Sequence, residues 1–168
     1  MRASTIKRRR LAAAAVCALA AGAFAFGVKL GDGSQPRPSV ASQLTLGQLA
    51  GQRIVFGFSG ARPPARVERM IRAGAVAGVI LFSDNLPGRA AGRRLIHRLQ
   101  AIPRPPGLRD PLLVMTDQEG GLVKRVAGAP TTSARTMGAR GPAFSRTEGR
   151  RTAANLRDLG VNVDLAPV

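Results

Sequence analysis

The sequence predicts an α/β fold built on a parallel sheet, on three observations. Short apolar runs alternate with segments of helical period from Leu44 onward. The runs are bounded by Gly, Ser, Asp, Asn and Pro, which end strands and open loops. The third run, Leu112-Leu113-Val114-Met115, leads directly into Thr116-Asp117-Gln118-Glu119-Gly120-Gly121. Acids and paired glycines just past the carboxyl end of a buried parallel strand stand where α/β folds hold ligands. The expected order is strand, helix, strand, helix, strand, long loop, helix, strand. Four strands make either an unfinished open sheet or half of an eight-stranded barrel, so a fold cut short is expected.

Each element has its own reason. Leu44 to Gln52 reads as a short leading helix, and Ile54-Val55-Phe56-Gly57-Phe58 as the first strand, ended by Ser59-Gly60. Val67, Met70, Ile71 and Gly74 fall on one face of a helix entered after Pro63-Pro64. Gly78-Val79-Ile80-Leu81-Phe82 is the second strand, closed by Ser83-Asp84-Asn85. Ala91, Leu95, Leu99 and Ile102 mark a helix with arginines on its far side, stopped before Pro103. Leu112 to Met115, started by Arg109-Asp110-Pro111, suits a strand buried on both faces. Gly120-Gly121, lacking Cβ atoms, allows a sharp turn or close approach to a ligand. Ala153, Leu156 and Leu159 mark another helix, and Val161-Asn162-Val163-Asp164-Leu165 a fourth strand.

The amino-terminal part differs in kind. Met1 to Arg10 carries five basic residues and no acid, and Leu11 to Val28 is uncharged and rich in Ala. Residues 1–28 therefore read as a secretory signal, with small-residue sites at Ala21-Gly22-Ala23 or Ala23-Phe24-Ala25, or as a membrane anchor. Both place the remainder outside the cytoplasm, with membrane contact only through Leu11–Val28. Residues 29–43 have the Gly, Ser, Pro and Gln content of a linker, leaving 44–168 as the folded part. Cys17 is the only cysteine and lies in the apolar run, so no intramolecular disulfide forms. The formal net charge is +17, with 26 basic residues against 9 acids. Six Phe, no Trp, no Tyr and no basic run in the folded part argue against nucleic acid; Arg-rich coding bias or attraction to an anionic cell envelope accounts for the charge better. His97, the lone histidine, reads as an exposed helical residue.

From the residues alone, Asp117 and Glu119 are an i, i+2 pair pointing to one side of a strand. Such a pair could serve glycoside hydrolysis, or hold a divalent cation with Asp164 as a third oxygen donor. No Cys/His cluster has metal spacing, and neither a phosphate-cradling glycine loop nor a G-x-S-x-G elbow occurs.

The run Asp117-Gln118-Glu119-Gly120-Gly121, with Val123 and Arg125 following, resembles the hallmark of family 3 glycoside hydrolases, bacterial β-N-acetylhexosaminidase branch. Four more stretches agree in order: Leu49-Ala50-Gly51-Gln52 before Val55-Phe56-Gly57-Phe58; Gly78 to Phe82 with Asn85; Pro130 through Gly138-Ala139; and Leu159 to Val168. The resemblance implies a (β/α)8 TIM barrel of which this chain holds roughly the first four β/α units. It implies release of terminal β-linked N-acetylglucosamine from glycans such as peptidoglycan fragments, with retention and no cofactor. The nucleophile, an aspartate, and a His–Asp acid/base pair are then expected after Val168, so this chain alone should be inactive. Asp117 matches the family aspartate that binds sugar hydroxyls, which replaces the catalytic-pair reading and leaves Glu119 in support. Arg125 matches a basic position that either pairs with a loop carboxylate or shapes the substrate site. Leu122 stands where the branch usually has Arg, and Asp84 where a basic residue commonly precedes Asn. These departures keep a β-glucosidase-type specificity open. A non-catalytic cell-wall glycan-binding protein, or a cytosolic barrel enzyme such as an aldolase, are the rival readings.

Overall fold

The computed structural model describes residues 39–167. The expected signal or anchor, and the linker up to residue 38, lie outside the described residues. After a turn of 3-10 helix at Val40–Gln43 come α1 (Leu46–Gly51), β1 (Val55–Gly57), α2 (Ala65–Ala73), β2 (Gly78–Ile80) and α3 (Arg89–Gln100). Then follow β3 (Leu113–Thr116), β4 (Gln118–Gly120), β5 (Val123–Lys124), α4 (Ala134–Arg140), α5 (Pro142–Leu159) and β6 (Val163–Asp164).

Strands β1, β2, β3 and β6 form one parallel sheet in that order, each beside its predecessor. The α/β class expected from the alternation is what forms. Among the described residues the sheet is an open arc, not a closed barrel. Its register sets Val55 opposite Gly78 and Gly78 opposite Leu113. A Cβ on Gly78 would stand 2.3 Å from the Leu113 carbonyl oxygen, so β2 and β3 approach as they do because the side chain is missing.

Helices enter and leave as their end residues dictate. Thr45 and Gln48 form a reciprocal capping box at the start of α1, with Thr45 Oγ1 accepting from Gln48 N–H and Gln48 Oε1 accepting from Thr45 N–H. Gly74 ends α2 and Gly160 ends α5, both left-handed. The predicted face of α2 is the one that packs: Val67 and Ile71 are buried. On α3, Leu95, Ile96 and Leu99 are buried while Arg93, Arg94 and Arg98 face solvent. His97 is exposed, as expected. These helices meet Val79, Val114, Leu156 and Leu159 in one core. Arg93 and Arg89 both bind Asp158, tying α3 to α5 and holding its carboxyl below the usual aspartate range.

Three expectations need correction. The third strand is buried on one face only: Val114 is fully buried while Leu113 is 37% exposed. The reason is the register, which sends Leu113 with Val55 away from the helices. The fourth strand is shorter than Val161–Leu165 because Asn162 substitutes a side chain for a ladder partner. Its Oδ1 accepts from Val114 N–H at 2.7 Å and its Nδ2 donates to the Leu112 carbonyl at 2.9 Å. The long loop after β3 is not structureless. It holds the β4–β5 hairpin, the short helix α4 and the first half of α5. Its helices were hidden because their faces are largely polar and exposed, so apolar periodicity was absent.

Candidate functional site

The ends of β2, β3 and β6 point the same way, and the loops that follow them build one polar cluster. Asp117 comes immediately after β3, at its carboxyl end. Sequence reasoning singled it out with Arg125, and the fold brings the two together: Arg125 Nη2 lies 3.4 Å from Asp117 Oδ2. The two side chains remain 27% and 23% exposed. The Arg125 guanidinium also lies 5.8 Å from the centre of the Phe82 ring, just past β2. A carboxylate, a guanidinium and an aromatic face are thus held on one rim.

What holds them is Gln118, whose role the sequence reading missed. Its side chain is buried and makes four hydrogen bonds to backbone. Oε1 accepts from Arg125 N–H at 2.9 Å and from Val126 N–H at 3.0 Å, while Nε2 donates to the carbonyls of Val126 at 2.8 Å and Ala129 at 2.9 Å. An amide alone can accept twice and donate twice in this way. The loop carrying Arg125 is therefore wrapped around the residue next to Asp117. The missed clue was an uncharged polar residue between two acids.

The hairpin depends on the glycine pair. Gly120 and Gly121 have φ of +81° and +61°, and a Cβ on Gly120 would fall 2.2 Å from the Thr132 carbonyl oxygen. The expected sharp turn is present. Leu122 forms its tip and is fully exposed. Asp84, the other departure from the family pattern, accepts from Gly60 N–H at 2.8 Å. Beside it Asn85 is buried, donating to the carbonyls of Phe58 and Gly60 and accepting from Phe82 N–H. The loops after β1 and β2 are thereby joined, which fixes Phe82.

Glu119 and Asp164 line a cleft of about 480 Å³ otherwise walled by residues such as Met137, Leu156 and Pro130. Asp164 Oδ1 accepts from Gln118 N–H at 3.0 Å. Burial pushes its carboxyl above the ordinary aspartate range, the charges of Asp117 and Glu119 add to this, and the Gln118 N–H opposes both. Among the described residues no group of three or more His, Cys, Asp or Glu side chains could hold a metal ion. The cation alternative for Asp117, Glu119 and Asp164 thus finds no support in the geometry.

A second buried acid, Glu148, ties the loop after the hairpin to α5. Its Oε2 accepts from Thr131 N–H at 2.9 Å and Thr131 Oγ1 at 3.1 Å, and its Oε1 accepts from Arg151. Sequence could have found it, since Glu148, Thr152, Leu156 and Leu159 share one helix face. The Thr131 backbone bond and then Arg151 hold its carboxyl below the usual glutamate range, against the effect of burial. The unfolded chain then takes up a proton more readily than the folded one. The stability this group carries is complete above the ordinary glutamate value, about 4.3, and is lost as pH falls through the depressed folded value. Urea midpoints measured at neutral and acid pH should show this loss, and Glu148→Gln should show a smaller acid loss than wild type. An unchanged acid loss in the variant would remove Glu148 from the account.

Residues 42–168 match the profile described as the glycosyl hydrolase family 3 N-terminal domain. A protein of Arthroderma benhamiae, described as an uncharacterized secreted glycosyl hydrolase, is 33% identical over 135 residues, which is 78% of this chain and 37% of that relative. A beta-hexosaminidase of Xanthomonas euvesicatoria is 34% identical over 125 residues, 68% of this chain and 36% of the relative. The solved family 3 beta-N-acetylglucosaminidase of a Paenibacillus superimposes with a TM-score of 0.66 at 34% identity, over 74% of this chain and 24% of that one. The chain spans a little over a third of the length of these curated relatives. The matched segment covers most of the chain, and the chain belongs to glycosyl hydrolase family 3.

Proposed function

We propose that this chain supplies the sugar-holding rim of an exported β-N-acetylhexosaminidase that releases terminal β-linked N-acetylglucosamine from glycans such as peptidoglycan fragments, with retention of configuration. The observation that carries the reading is the partly exposed Asp117–Arg125 pair at the end of β3, beside Phe82. An ionised carboxylate held by a guanidinium accepts hydrogen bonds from neighbouring sugar hydroxyls, and holding it still beforehand lowers the cost of orienting the ring. Arg125 shapes this site rather than reacting, and Glu119 supports the loop. The bond-breaking groups, in this reading, come from beyond Val168, so the chain by itself binds without hydrolysing. The beta-hexosaminidase relative supports the sugar, and the secreted relative supports export. Among the described residues no helix is long and apolar enough to cross a membrane.

The test is a nuclear magnetic resonance titration with N-acetylglucosamine, with glucose as the comparison sugar. Saturable shifts of the amides around Asp117 and Arg125 are expected, stronger for N-acetylglucosamine. Asp117→Ala should weaken them about tenfold or more, as loss of a charge-assisted pair of hydrogen bonds requires. Shifts that persist unchanged in the variant refute the assignment, and preference for glucose moves the reading to the β-glucosidase side. Release of nitrophenol from its β-N-acetylglucosaminide by the chain alone would contradict the division of roles.

A further inference from the structure

Three arginines of the described residues lie over phenylalanine rings: Arg66 over Phe56, Arg140 over Phe144 and Arg125 over Phe82. Arg66 and Arg140 are exposed, whereas Arg125 is partly buried and also faces Asp117. Hydrogen bonds alone hold its guanidinium loosely. The contact with Asp117 is 3.4 Å long, and the buried Nε has no hydrogen-bond partner among the described residues. Gln118 fastens the backbone N–H of Arg125, not its side chain. The other group that meets the guanidinium is the Phe82 ring, 5.8 Å from its centre. That lies inside the ~6 Å over which a ring face attracts a cation, an attraction that grows as water is excluded.

The ring itself is well seated. Register pairs Gly57 with Ile80 and Ile80 with Met115. Two residues further on, Phe82 and Asp117 therefore emerge on the same face of the sheet from neighbouring strands. Phe82 N–H donates to the buried Asn85 Oδ1 at 2.7 Å. The ring lies against Gly57, where a Cβ would stand 3.4 Å from Phe82 Cε2, so no side chain there displaces it. We propose that Phe82 is a positioning residue: its ring face sets the orientation of the Arg125 guanidinium against Asp117, and through it the donors offered to the sugar. The last step rests on the sugar reading above; the hold on Arg125 does not.

Phe82→Leu removes the π-face and keeps an apolar side chain, while Phe82→Tyr keeps the face. The side chain is 37% exposed, so thermal midpoints close to wild type are expected for both and show that they fold. The Nε–Hε magnetic resonance signal of Arg125, assigned by its loss in Arg125→Lys, reads the guanidinium without any sugar. Its heteronuclear Overhauser effect should be that of a rigid group in wild type and Phe82→Tyr, and should fall in Phe82→Leu. N-acetylglucosamine should bind about threefold more weakly or worse to Phe82→Leu, and within about twofold of wild type to Phe82→Tyr. An Arg125 signal as rigid in Phe82→Leu as in wild type overturns the proposal; if sugar binding still weakens, the ring meets the sugar directly. Equal losses in Phe82→Tyr and Phe82→Leu overturn it too. Absence of sugar binding by wild type removes the sugar reading instead, and the rigidity comparison still decides whether Phe82 holds Arg125.

Discussion

Gln118→Leu is expected to lower stability by about 3–5 kcal/mol, because it removes the partner of three buried or part-buried backbone groups and one of the two donors of a fourth. Leucine fills nearly the same volume, so the loss comes from the N–H groups of Arg125 and Val126 and the carbonyl of Val126, the Ala129 carbonyl keeping Asn155 Nδ2. A domain of this size is stable by only about 5–15 kcal/mol, so the change is a large share of the total. Gln118→Glu separates hydrogen bonding from packing. Its carboxylate can still accept from the two N–H groups, but it sets an oxygen with no hydrogen to donate against the carbonyls of Val126 and Ala129. That variant should therefore also be destabilised at neutral pH and recover in part when acidified enough to protonate the new carboxyl. Urea unfolding gives the energies. The Arg125 resonances report whether the guanidinium still meets Asp117. Wild-type midpoints for both variants would refute the role given to Gln118.

Gly120→Ala is expected to cost about 3 kcal/mol or more, by two mechanisms that add. At φ +81° an L side chain crowds its own carbonyl, and the new Cβ meets the Thr132 carbonyl oxygen at 2.2 Å. The neighbour is backbone, held near Thr131, which Glu148 ties to α5, so it cannot simply swing away. Gly149→Ala is the control: it is helical and a Cβ there meets nothing within 4 Å. That substitution should raise stability by about 0.5–1 kcal/mol. Thermal midpoints that fall for Gly120→Ala and rise for Gly149→Ala distinguish the two environments. A neutral Gly120→Ala would mean that the hairpin relaxes, contrary to the close approach seen here.

Much of the frame was legible before any coordinates. Val67 with Ile71, and Leu95 with Leu99, named the buried faces of α2 and α3 because a 3.6-residue period reports burial directly. The turn at Gly120-Gly121 could be anticipated because positive φ is a local demand that glycine meets. The choice of Asp117 and Arg125 came from pattern and resemblance; periodicity said nothing of their pairing. Gln118, Glu148 and Asn162 were not read correctly. Their partners are backbone groups 7 to 50 residues away, and no apolar period reports such side-chain-to-backbone bonds.

The sequence by itself determined the α/β class and the place of the acid at the end of the third strand. Both follow from apolar runs that alternate with helical periods and from the turn residues that end them. Only the tertiary structure decided which carboxylate would meet Arg125, which face of the third strand would be covered, and that an amide rather than a charge would fasten the loop. Those outcomes depend on register and on buried donors finding acceptors across the fold, and burial makes an unmatched partner too costly to leave.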